Sequence, residues 1–166
     1  MKTTSRAVLL LWSLLLLACS DSEDSLAPRA LLVYLGGDSN LSGEVLSKIT
    51  AIQGGWQRRD VPVIIYRDDA SARGSFLARL AGQEGWPLLD TIATYAEENS
   101  AAPGTLKRVV ETLRSRFPAR SYGLLLFSHA SGWLPPGTLE NPLADDTRSL
   151  VVDEGDGTRR EMTLDE

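Results

Sequence analysis

The chain has 166 residues, a formal net charge of −5 and an apolar fraction of 43%. That is enough for one domain with a real core and the composition of an ordinary globular protein. With 17 Lys and Arg against 22 Asp and Glu and no arginine-rich stripe, nucleic acid is excluded as the expected partner.

The first residues read as a targeting segment. Lys2 and Arg6 make a positive start, and Ala7 to Leu17 is an apolar stretch too short to span a bilayer as a helix. Leu16-Leu17-Ala18-Cys19 then resembles the lipobox of bacterial lipoproteins. The resemblance implies that residues 1–18 are a signal peptide, cleaved before Cys19, and that Cys19 carries lipid that anchors the protein to a membrane. The alternative is an ordinary signal peptide with a chance cysteine. Lys2 and Arg6 would leave with the leader, taking the net charge from −5 to −7. Residues 19–29, with Asp21, Glu23 and Asp24, read as a flexible acidic tether. An acidic run in this place resembles the export signal of some bacterial surface lipoproteins, and a plain solvated linker is the competing reading. The expected location is the cell envelope, on the outer membrane or its surface. Cys19 is the single cysteine, so a lipidated Cys19 leaves the domain without a free thiol or a disulfide.

From residue 30 the chain alternates strand and helix. Ala30 to Leu35 is a short apolar run ending in Gly36-Gly37-Asp38, a first buried strand. Ser39, Asn40 and Ser42 are N-cap candidates for a helix whose apolar side is Leu41, Val45, Leu46, Ile49 and Ile52, stopped by Gly54-Gly55. Val61 to Tyr66 predicts a second buried strand, parallel to the first, with Arg67 to Ala72 as a polar turn. Ser75 to Leu80 and Trp86 to Ile92 predict a β-hairpin appended to the sheet. Pro103-Gly104-Thr105 opens a helix with Leu106, Val109, Val110, Leu113 and Phe117 on one face, and Pro118 ends it. Tyr122 to Phe127 then reads as a strand buried on both faces, forming a second βαβ unit.

That strand runs into Ser128-His129-Ala130-Ser131-Gly132-Trp133. His129 is the only histidine, placed where open α/β sheets carry their chemistry, at the carboxyl end of a strand. An imidazole there can act as a general acid/base. It can equally be a hydrogen-bonded loop residue. Trp133 reads as a pocket wall or a packed aromatic. Asp38 and Asn40 lie at the same expected sheet end, and turn or cap duty is their favoured reading. Leu150 to Val152 is a short strand candidate, followed by the acidic turn Asp153-Glu154-Gly155-Asp156-Gly157. Those acids offer calcium ligands, but their spacing lacks the remaining positions of a calcium loop, and no other metal or cofactor is implied. Thr163-Leu164-Asp165-Glu166 matches a capping box, so a helix is expected to begin there, as in the front part of a longer protein, with a natural early stop as the alternative.

Three stretches together resemble the clostripain family of cysteine peptidases. They are Leu32 to Leu41, Tyr122 to Trp133, and Glu161 to Leu164. The resemblance implies a caspase-like α/β/α sandwich with a mainly parallel sheet, incomplete at its carboxyl end, over residues 30–166. It implies hydrolysis of a protein or peptide substrate by a His-Cys dyad, after basic residues. His129 matches the family's histidine and the Ala130 N–H an oxyanion donor, with Asp38 and Trp133 as substrate-binding candidates. The family's cysteine lies at the end of a further strand beyond Glu166. Ala130 stands where the family usually has glycine, which puts the oxyanion hole in question, since alanine does not easily adopt positive φ. A second reading is a non-catalytic, lipid-anchored surface protein that keeps the fold and binds peptide or protein.

Overall fold

The first predicted strand, Ala30–Gly37 (β1), lies near the centre of a five-stranded sheet, with β2 (Val63–Asp69) on one side and β5 (Tyr122–Phe127) on the other, both parallel to it. The computed structural model describes residues 26–57, 60–70, 74–83, 86–130 and 149–163. Beyond β2, β3 (Phe76–Gln83) and β4 (Trp86–Thr94) continue the sheet antiparallel, giving the order β4-β3-β2-β1-β5. The appended hairpin is therefore where the alternation placed it. A separate ribbon is formed by β6 (Ser149–Asp153) and β7 (Arg160–Thr163).

Side chains alternate across the sheet, and each face meets its own helix. Leu32, Tyr34, Ile64 and Tyr66 pack with Val109 and Leu113 of α2 (Pro103–Arg116), and Val151 and Met162 of the ribbon join them. Val33, Leu35, Val63 and Ile65 pack with Val45 and Ile49 of α1 (Ser42–Gly55). This is a three-layer α/β/α sandwich. Each of these fully buried large side chains contributes about 1.5–3 kcal/mol relative to exposure. Tyr34 and Tyr66 stack at 4.4 Å between ring centroids, and the Tyr34 hydroxyl donates to the Ser100 carbonyl at 2.7 Å. Burial holds both phenols well above the usual tyrosine range.

Four expectations need correction. The polar stretch after the second strand is not all turn, because β2 runs on to Asp69, with Gly36 opposite Asp68 and Gly37 opposite Asp69. Arg67 pairs with Asp69, which lets charged residues continue the ladder. β5 is not covered on both faces, since Leu124 and Leu125 are 49% and 48% exposed. Both helices lie over β1 and β2, and among the described residues β5 is an edge strand. Leu46 is exposed because only Val45, Ile49 and Ile52 form the inward stripe of α1. Finally, no side chain caps α1, whose N-cap is Leu41. Ser42 instead donates to the Gly37 and Ser39 carbonyls and accepts from the Ala70 N–H, tying β1 to β2.

The signal peptide and Cys19, Ser131 to Trp133, and Leu164 to Glu166 of the capping box lie outside the described residues. The end of the predicted tether is held against the segment before β5, where Ala27 bridges Ala119 and the Pro28 carbonyl accepts from the Ser121 hydroxyl. Among the described residues no helix is long and apolar enough to cross a membrane.

Candidate active site

β1 and β5 are parallel, so their carboxyl ends present neighbouring loops. Asn40, just after β1, meets His129, just after β5, and the Asn40 Oδ1 lies 2.5 Å from the His129 Nε2. With Asn40 presenting its carboxamide oxygen, Nε2–H is the donor. The neutral ring then carries its lone pair on Nδ1, where it can take a proton. His129 is half-buried and Ala130 exposed, so the loop faces solvent. The cap duty expected of Asn40 is thus replaced by a hold on the imidazole.

Ser128 does not act as a nucleophile beside His129. Its hydroxyl donates to the Val152 carbonyl at 3.1 Å and accepts from the Val152 N–H at 3.0 Å. Neighbours on an extended chain point to opposite sides, and Ser128 uses its side to dock β6. Trp133 lies outside the described residues.

Asp38 does not cap α1 either. It is 4% exposed, and its carboxylate joins Asp68 and Asp153 in a cluster whose oxygens all lie within 4.8 Å of one another. Asp153 is turned inward from the predicted acidic turn and accepts from the Ser100 N–H and hydroxyl at 2.7 and 2.9 Å. Of the two other turn acids, Glu154 pairs with Arg159, and Asp156 faces outward and binds Arg160 at 2.7 Å, which holds its carboxyl below the usual range. Burial, with the Asp153 charge adding, pushes Asp68 up to about 8. Burial also raises Asp38 and its neighbour Glu97. Asp68 was hidden from sequence reasoning because Arg67-Asp68-Asp69 looks like a turn. The available signal was an acid at the end of a strand parallel to the one that carries Asp38.

A parallel sheet between two helices, continued by an antiparallel hairpin and carrying a histidine at a strand's carboxyl end, defines a caspase-like α/β fold. The clostripain family model matches residues 33–166, and the chain belongs to that family. Among solved structures, a cysteine protease of B. fragilis shares 29% identity at a TM-score of 0.59, over 66% of this chain and 95% of that one. An inactive C11 protease zymogen from Parabacteroides distasonis shares 34% identity at a TM-score of 0.63, over 69% of this chain and 34% of that one. A secreted C11 cysteine protease from Bacteroides thetaiotaomicron, solved with an irreversible peptide inhibitor, shares 32% at 0.60, over 80% and 35%. The chain therefore spans about a third of the length of the last two. No curated protein matches it.

Proposed function

We propose that this chain carries the histidine half of a clostripain-like cysteine endopeptidase that cleaves after basic residues. The observation that carries this reading is the His129 imidazole, held by Asn40 at the carboxyl end of β5. His129 is the general acid/base for a thiolate presented from a strand beside β5, and it gives the proton to the leaving amine. The Ala130 N–H is the oxyanion donor, since an alanine N–H serves as well as a glycine one wherever φ is negative. Asp38, from a buried position, and Trp133 are the candidates for the substrate side of the cleft. The one cysteine, Cys19, lies before the domain and is assigned to lipid, so the nucleophile comes from elsewhere. Residues 1–18 are the signal peptide and 19–29 the tether, which place the domain on the outer membrane of the cell envelope.

The departure at Ala130 favours a second reading, a lipid-anchored protein that binds peptide or protein at the same cleft without cutting it. The test is to read the gene past the codon for Glu166 and to assay its product on fluorogenic peptides with Arg or Lys before the scissile bond. A helix and an apolar strand ending in cysteine, with cleavage reduced at least a thousandfold by His129→Ala, is the expected result. A stop codon, or another residue at that strand end, transfers the site to the binding reading. The 166-residue chain alone is expected to be inert, and His129-dependent cleavage by it would overturn the argument about the thiol.

A further inference from the structure

We propose that the face at the amino ends of the parallel strands docks on the anionic surface of a phospholipid membrane, with the histidine loop turned toward solution. β1, β2 and β5 run parallel, so all of them start at the end opposite His129. The chain turns there on entering β1, between α1 and β2, in the β3–β4 hairpin, and between α2 and β5. The start of the domain is fastened at this end. Ala27 bridges Ala119, and the Arg120 N–H donates to the Ala27 carbonyl at 3.0 Å. Cys19 stands eight residues before Ala27. An extended chain of that length reaches about 26–29 Å, so a lipid on Cys19 keeps this face, and no other end of the sheet, close to the membrane.

Charge follows the same axis. Arg29, Arg114, Arg116 and Arg120 are exposed at the amino end, where Asp60 is the only acid among the described residues of those turns. The carboxyl end carries Asp38, Asp68, Asp69, Glu97, Glu98 and Asp153. A chain of net charge −5 thus gathers cations at one pole. The carboxyl end of a helix favours cations and accounts for Arg114 and Arg116 in the last turn of α2. It does not account for Arg29 and Arg120, which flank the entries to β1 and β5. Arg29 reaches the Ser121 hydroxyl at 3.5 Å, and Arg114 lies 5.9 Å from the centre of the Tyr122 ring, so the cations converge on one strand entry.

Apolar surface lies among them. A cleft of about 490 Å³ is lined by Leu31, Trp56, Val61, Val63 and Arg29. Tyr122 and Leu88, 39% and 64% exposed, stand on the two outer strands at the same end. Guanidinium forks fit lipid phosphates, and aromatic rings settle at the boundary of headgroup and acyl chain. An acidic protein would answer the charge equally well, but the attachment of the tether at this face singles out the membrane. Each arginine near an anionic surface is worth about fivefold in partition, and the attraction fades beyond about 8–10 Å. The acidic pole is repelled, so docking has one orientation. The inference deepens the envelope location proposed above and rests on that reading for a membrane within reach.

The chain from residue 19 on, with Cys19→Ser so that no lipid is attached, is sedimented with vesicles of equal parts phosphatidylglycerol and phosphatidylcholine. Binding is expected at low ionic strength, falling at least tenfold by about 0.5 M salt, and absent with phosphatidylcholine alone. Arg29→Glu with Arg114→Glu should reduce it at least about twentyfold. Lys48→Glu with Lys107→Glu changes the net charge equally but away from this face, and should leave binding within about threefold. Failure of the parent to bind, equal binding to both vesicles, or equal losses in the two double variants overturns the docking. If the parent fails and Asp21→Asn with Glu23→Gln and Asp24→Asn binds, the tether covers the face and the membrane assignment falls. Should Arg29→Glu with Arg114→Glu lose its far-UV spectrum, Arg29→Gln with Arg120→Gln and the salt dependence of the parent decide the matter. The lipid on Cys19 is read separately, from the intact mass of the chain made in a bacterial envelope. An unlipidated mass with vesicle binding kept overturns the anchor and leaves the face, and a lipidated mass without vesicle binding does the reverse.

Discussion

Gly37→Ala tests how tightly the site loop is tied to the core. Gly37 ends β1 with α1 pressed against its backbone. A Cβ there lies 2.2 Å from the Val45 Cγ2. Carbon atoms in ordinary contact are about 3.5–4.0 Å apart, so at least about 1.3 Å must be opened. Val45 is fully buried. Its branched side chain has essentially one helical rotamer, and twisting off it costs about 0.5–1.5 kcal/mol. The alternative is to lift α1 from the sheet, and overpacking of that kind costs about 1–3 kcal/mol. The expected loss is about 2 kcal/mol, seen as a fall of roughly 4–8 °C in the unfolding midpoint. Urea unfolding with an unchanged m-value is the assay. Val45→Ala removes the clashing methyl, so the double variant should be more stable than the two single losses summed, by at least about 1 kcal/mol. A Gly37→Ala protein within about 0.5 kcal/mol of the parent, or a cycle without coupling, would refute the close approach of helix and strand.

Two further predictions concern the site and the sheet edge. Because His129 is the only histidine, its ring nitrogens give a single set of NMR signals. Asn40→Ala should move the Nε2 signal away from that of a hydrogen-bonded N–H with the fold intact, and an unchanged spectrum would refute the contact. Leu125→Ser on exposed β5 should cost under about 1 kcal/mol in urea unfolding, whereas Leu32→Ala in β1 should cost about 2–5 kcal/mol. Equal losses would show that β5 is covered after all.

The elements were legible wherever periodicity was strong. The β1 apolar run, the α2 stripe and the Phe76–Gln83/Trp86–Thr94 hairpin fall within a few residues of their predicted places. His129 was legible because a lone imidazole follows an apolar strand. Asp68 was not, since local composition cannot say that a charged tripeptide is still paired to a neighbouring strand. Nor could it show that Asn40 leaves the helix start to meet a residue 89 positions away. Tyr122 to Phe127 misled for a related reason. Five apolar residues in six report that a strand belongs in a sheet, not which neighbours are there to cover it.

The position of β1 has a consequence for the order of assembly. β2, β3 and β4 can pair in succession once β1 is available, since each follows its neighbour closely. The other side of β1 must wait for Tyr122, which pairs with Ala30. Closing so long a loop costs only a little more entropy than closing a shorter one, but it is a non-local pairing that follows the local ones. Until then the buried strand β1 has one unprotected side. The sheet end is completed later still, when the β6–β7 ribbon docks Val152 on Ser128.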